Sequence, residues 1–176
     1  MKPLKLFLAT GIAVCLSLQM YAQQINAKMI KEWERAKEYT KEYLDVMPEG
    51  SYGLKPTPEM RSFAGQMLHL AEANFGFATF ASGATMQGKP GDLEKSGDTS
   101  KQGVTKTVMD SYDFVIDKLK NMKDAQMPEP IKLFGRFDMS REAAFEKAFE
   151  HQTHHRGQTT VYIRLAGVKP PQEKLF

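Results

Sequence analysis

From about Asn26 to Met47, apolar side chains recur at spacings of three and four: Met29, Trp33, Ala36, Tyr43, Leu44 and Met47, with Thr40 on the same stripe. Lys and Glu fill the other faces, the pattern of an amphipathic helix that buries one side. Pro48-Glu49-Gly50 ends it, and residues 51–56 read as a short loop. Thr57-Pro58-Glu59 then supplies a capping hydroxyl, a proline for the first helical position and an acid for the first turn. A second helix is therefore expected from about Pro58 to Phe80. It is apolar nearly all round, which predicts burial on more than one side. A third is expected over about Lys101 to Met122, on Val104, Val108, Val115, Leu119 and Met122, with Tyr112 near the stripe. Ser140 caps the fourth and Glu142 sits in its first turn; it should run to about Leu165, where Gly167 stops it and Pro170-Pro171 prevents its resumption.

The connections decide the architecture. Ala81 to about Ser100 is too long for a simple link between neighbouring helices. It fits a crossover that travels the length of a bundle, so that the second and third helices run parallel. Lys123 to Phe137, with Pro128 and Pro130, is a second irregular connection. No strand alternation and no repeat is evident. The fold class expected is all-α: a four-helix bundle with a long crossover between helices 2 and 3.

The chain has 176 residues, enough for one domain with a substantial core, and 41% of them are hydrophobic. The first stretch reads differently from the rest. Lys2 and Lys5 precede the apolar run Leu6 to Leu18, and Ala22 precedes Gln23-Gln24. Residues 1–22 are thus expected to be a secretory signal peptide, and residues 23–176 the bundle domain. The mature chain would be exported, periplasmic or secreted, with no membrane attachment. The alternatives are an uncleaved anchor or a lipidated Cys15, and the run is short for the former. Cys15 is the only cysteine, so the mature chain would have no disulfide, no thiolate ligand and no cysteine nucleophile. Losing Lys2 and Lys5 takes the formal charge from +3 to +1. No basic block follows a phosphate backbone, and nucleic-acid binding is not expected.

With thiolates excluded, any metal ligands must be nitrogen or oxygen. Three of the four histidines, His151, His154 and His155, lie within eight residues, and the fourth is His69. Residues four apart on a helix leave the same face, so His151 and His155 can converge on one ion. A 151/154 pair is also sterically allowed. Ala144, Ala148 and Tyr162 share the side of His155, and Gly65, Ala73 and Gly76 fall within about 40° of His69 on a helical wheel. These small residues either leave room for an ion and a substrate or only permit close packing. The favoured set is His69, His151 and His155, with His154 either hydrogen-bonded to a ligand or simply on the surface. Glu72, Glu150, Arg156 and Gln158 are candidates to support the imidazoles; Tyr162 either reaches the pocket or belongs to the core. Three neutral imidazoles leave coordination positions open, as catalytic sites do. Imidazole suits Zn, Ni, Cu and Fe, so the residues alone do not choose the metal.

The run His154-His155-Arg156-Gly157-Gln158, preceded by His151 and followed by Thr-x-Tyr-x-Arg-x-x-Gly and Pro-Pro, resembles the signature of the DinB/YfiT-like family. The segment Lys55 to Ala64, leading to His69, is similar to the start of that family's second helix. The resemblance spans about residues 24–176. It implies a four-helix bundle with a long crossover, often a homodimer, with a divalent ion on three histidines matched by His69, His151 and His155. Zn or Ni is expected first, then Fe or Mn. The family's activities are thiol-dependent transfers using bacillithiol or mycothiol, and a maleylpyruvate isomerase relative. Those thiols are cytoplasmic, whereas this chain reads as exported. The expected function is therefore a metal-dependent hydrolase or thiol-transferase-like enzyme acting on an unknown small molecule. The alternative is a non-catalytic protein in which the ion is structural or a ligand is merely bound.

Overall fold

The computed structural model describes residues 26–85 and 91–176. The expected leader, its cleavage point and Cys15 lie outside the described residues. Five helices carry the fold: α1 (residues 26–46), then α2 (Phe63–Ser82), α3 (Asp92–Ser96), α4 (Lys101–Asn121) and α5 (Arg141–Leu165). A hairpin, β1 (Pro130–Leu133) and β2 (Phe137–Ser140), joins α4 to α5. It is antiparallel, with Pro130 opposite Ser140 and Leu133 opposite Phe137. Among the described residues, no helix is long and apolar enough to cross a membrane.

Side-chain contacts fix the directions of the four long helices. Asn26 reaches the Met122 carbonyl, Thr40 meets Tyr112, and Lys101 meets the Asp45 and Met47 carbonyls, so α1 and α4 are antiparallel. Trp33 stacks edge-on against Phe149 and Tyr43 bonds Thr160, so α1 and α5 are parallel. Arg61 meets Tyr162 and Ala81 meets Arg141, so α2 and α5 are antiparallel. It follows that α2 and α4 run parallel, as the long crossover requires. The core runs between the helices on fully buried Trp33, Leu44, Phe63, Met67, Leu119 and Phe145.

Three expectations are corrected. The second helix begins at Phe63 and not at Pro58. Residues 57–60 form a closed turn instead, with Met60 N–H on the Thr57 carbonyl at 3.1 Å. Ser62 caps the helix, accepting from Gly65 N–H at 3.0 Å. The preceding loop satisfies the next orphan donors: Phe63 and Ala64 N–H bond the Leu54 and Tyr52 carbonyls at 3.0 and 2.9 Å. The crossover is not wholly irregular, since it contains the single-turn α3. The connection after α4 contains the hairpin, whose four-residue strands are too short to show a clear period.

The inner faces of α1, α4 and α5 are unusually polar. Fully buried Gln152 accepts from the Tyr112 hydroxyl at 2.7 Å and from Arg156 Nη1 at 3.0 Å. Thr40 donates in turn to Tyr112 at 2.7 Å. The Arg156 guanidinium lies over the Tyr39 ring, 4.6 Å from its centroid. A buried charge is thus held by an amide oxygen and a π-face, both neutral groups. Gln152→Leu keeps the volume and leaves that charge short of an acceptor. It should lower unfolding stability by about 2 kcal/mol, read as a lower urea midpoint at unchanged slope.

Candidate metal centre

The antiparallel contact of α2 with α5 places His69 against His151 and His155. The ring centroids are 5.2 Å apart for 69–151, 4.6 Å for 69–155 and 4.3 Å for 151–155. One ring nitrogen from each lies within 4.8 Å of the other two. His155 is buried, and His69 and His151 are half-buried. His154 is exposed and stands outside this triangle, although its ring lies 4.9 Å from that of His155.

The neighbours of the rings set their tautomers. His155 Nδ1 lies 3.2 Å from Gln66 Oε1, an oxygen that only accepts. His69 Nδ1 lies 3.2 Å from Glu94 Oε1. His155 Nδ1 therefore carries the proton and its Nε2 keeps its lone pair for an ion, whereas His69 Nδ1 stands between the Glu94 carboxylate and the Arg61 guanidinium. His151 Nδ1 is buried with no hydrogen-bond partner. An orphaned nitrogen of this kind costs about 1–3 kcal/mol when nothing fills it. A cation among the three rings accounts for it, and a set of three imidazoles suits a divalent transition ion. The residues fit the metal that the sequence anticipates.

The protonation states agree. Burial lowers the pKa of all three, and for His151 and His155 the other imidazoles add to it, bringing His151 to about 4 and His155 to about 3. For His69, burial comes first and the Arg61 charge second. The imidazoles are neutral at pH 7, the form that binds metal.

The surroundings differ from side to side. On the His69 side, Arg61 Nη2 lies 3.5 Å from His69 Nδ1. Arg61 also forks onto Glu94, through a close Nε–Oε1 pair and an Nη2–Oε2 contact of 3.4 Å. On the His151 side is an aromatic wall: Phe77 lies 5.8 Å from the His151 ring and 5.0 Å from Phe134. Phe134 sits at the hairpin tip with φ 52°, a left-handed conformation costing a non-glycine residue about 1–2 kcal/mol. Its contacts with Phe77 and Phe80 offset that strain and seat the hairpin on α2.

Several anticipated residues take other places. Glu72 accepts from Gly91 N–H and ties down the crossover. Glu150 pairs with Lys147 in solvent. Arg156 points into the opposite side of α5. Tyr162 is a core residue whose hydroxyl donates to the Arg61 carbonyl at 2.9 Å. Gln158 does join the site, linked to Gln66 and donating to His154 Nε2 at 2.9 Å. Of the small residues, Gly65 faces the Arg61 stem and Gly76 faces Phe134. Sequence reasoning missed Gln66, Arg61, Glu94, Phe77 and Phe134. Gln66 left a signal, a polar residue one turn from a histidine on an otherwise apolar helix. Glu94 left none.

A helix pair of this geometry, with the His-x-x-x-His spacing before Arg-Gly-Gln, meets its counterpart in the comparison with known families: residues 20–175 match the DinB family. The chain belongs to the DinB family. Solved DinB-like proteins share the fold. One from Bacillus cereus superposes with a TM-score of 0.72 at 21% identity, covering 82% of this chain and 95% of that one. One from Bacillus subtilis gives 0.64 at 18%, covering 85% and 96%. A conserved protein from Enterococcus faecalis gives 0.64 at 17%, covering 80% and 95%. No curated protein matches the chain.

The lowered histidine values have a consequence for stability. The unfolded chain takes up protons on these residues below about pH 6.5, whereas the folded chain resists until about pH 4 to 3. Where the unfolded state binds more protons, stability decreases as the pH is lowered. Chelator-treated protein should therefore melt at progressively lower temperature as pH drops from 7 towards 4. Replacing His155 with Leu should flatten that slope.

Proposed function

We propose that this DinB-family chain is an exported metal-dependent enzyme, in which His69, His151 and His155 hold one divalent ion, Zn or Ni before Fe or Mn. The observation that supports it is three converging neutral imidazoles with, among the described residues, no fourth histidine or carboxylate grouped with them. An ion so held is open to a substrate and would act as a Lewis acid on it, or ease deprotonation of water or a thiol. The chain's own residues do the rest. Gln66 holds the Nδ1 proton of His155 and orients its ring, and Glu94 and Arg61 flank Nδ1 of His69. Phe77, backed by Phe134, lines one side, and Arg61 places a cation at the other. An exported chain meets water in place of a cytoplasmic thiol, which favours hydrolysis of a small molecule over thiol transfer. Residues 1–22 are taken as the leader on their sequence pattern.

The alternative makes the ion a structural pin between α2 and α5. These helices are already joined at both ends, by Tyr162 on the Arg61 carbonyl and by Arg141 on the Ala81 carbonyl at 2.7 Å. Chelation at pH 7.5 should then lower the melting temperature by only a few degrees, and a collapse of the fold would establish the pin instead.

Elemental analysis of the purified mature chain should give about one divalent ion per chain, and His155→Ala should abolish it. Gln66→Leu should weaken metal affinity by about 10- to 100-fold while leaving the fold intact. An ion content that does not depend on His155 would refute the assignment. Turnover of esters, amides or thiol acceptors by the loaded protein, lost in His155→Ala, would then establish catalysis.

A further inference from the structure

Arg61 is held beside the histidines by four separate features. Its carbonyl accepts from the buried Tyr162 hydroxyl, which fixes the backbone just before α2. Its stem runs along the helix over Gly65, where an added Cβ would lie 3.5 Å from Arg61 Cβ and 4.0 Å from Cγ. Glu94, carried in by α3, grips the Nε and Nη2 edge of the guanidinium. The last feature is the 3.5 Å contact that brings Nη2 to His69. A cation here opposes both protonation of the imidazoles and binding of a metal ion, so packing alone does not explain it. Glu94 compensates the charge but occupies only one edge of the fork. Nη1 has no hydrogen-bond partner among the described residues, and the Arg61 side chain is 44% exposed. A guanidinium held in place with Nη1 unpaired is suited to bind an oxyanion through charge-assisted hydrogen bonds from that nitrogen.

We propose that Arg61 is the anchor for a substrate oxyanion: the centre takes a small molecule whose carboxylate or phosphate group lies on Arg61, beside the part that the ion engages. The apolar part of that molecule lies towards Phe77 and Phe134. This rests on the metal reading given above. Tyr162 is a positioning residue that acts through the Arg61 backbone.

The test uses the mature chain loaded with Co(II), whose visible spectrum reports the ion separately from the ligand. Hexanoate, hexyl phosphate and hexanamide are titrated by calorimetry. The wild type should bind at least one of the two anions about tenfold or more tighter than the amide, and the tighter anion names the source of the oxyanion. Arg61→Gln should lose about that factor for the anion, leave the amide unchanged, and bind Co(II) as well as or better than the wild type. Arg61→Lys keeps the charge without the fork and should fall between. Equal anion binding by wild type and Arg61→Gln, with cobalt bound in both, overturns the anchor and leaves the metal site standing. No cobalt bound by the wild type overturns both.

Discussion

The register in which α2 meets α5 is the constraint on which the centre depends. His69 must stand level with the turn between His151 and His155, and a slip of one helical turn, about 5.4 Å, would carry it out of reach. Apolar packing alone specifies such a register weakly, because many leucines and alanines fit many neighbours. Here directional bonds set it at both ends. Tyr162 holds the Arg61 carbonyl at one end, and Arg141 holds the Ala81 carbonyl at the other. Arg141 also bonds Glu129 at 3.0 Å, so the same side chain secures the hairpin. The histidines sit between these clamps. Their geometry is therefore prepared by contacts that do not involve an ion.

That arrangement makes α5 polar on two sides. His151 and His155 face α2, while Gln152, Arg156 and Thr159 turn inward towards α1 and α4. Its apolar burial lies towards the two ends, on Ala144, Phe145 and Ala148 and on Tyr162 and Ile163. The helix is also kept in place by satisfied polar contacts, through Thr40, Tyr112, Gln152 and the Tyr39 ring. The neighbours His155 and Arg156 illustrate the division. One must remain a neutral base and the other is a permanent cation, yet they point into different compartments. The charge that reaches the imidazoles is that of Arg61, which Glu94 compensates.

Local rules located most of this in the sequence. The three- and four-residue spacing gave α4 to within a residue at each end and the end of α1 to within one, and Ser140 and Gly167 gave the limits of α5. The wheel favoured His151 with His155 but left a 151/154 pair allowed; the structure groups His69, His151 and His155. Local rules failed where a tertiary contact outranked a local signal. Thr57-Pro58-Glu59 has every mark of a helix start, but the chain from Tyr52 to Leu54 folds back and caps the backbone at Phe63 and Ala64 instead. Phe134 was invisible as a site neighbour, because nothing local says that a hairpin tip will land on Phe77. Glu94 reaches His69 across a sequence separation of 25 residues, a distance at which periodicity carries no information.

The crossover then has a chemical role as well as a topological one. Parallel α2 and α4 require a long connection, and a shorter chain would suffice to span it. This one turns a single helical turn over the His69 side of α2, anchored by Glu72 on Gly91 N–H and by Leu68 against Gly97. What that turn delivers is Glu94, the only acid in contact with both His69 and Arg61 among the described residues. Without it, a divalent ion would face an uncompensated guanidinium at close range in a partly dry site, where like charges repel far more strongly than in water. Glu94 permits both cations to share the centre. The hairpin does the converse on the other side, where Phe134 adds apolar surface and no charge. The two connections between the helices, and not the helices themselves, thus give the centre one charged side and one apolar side. A bundle with the same three histidines but different connections would place the same triad in different surroundings.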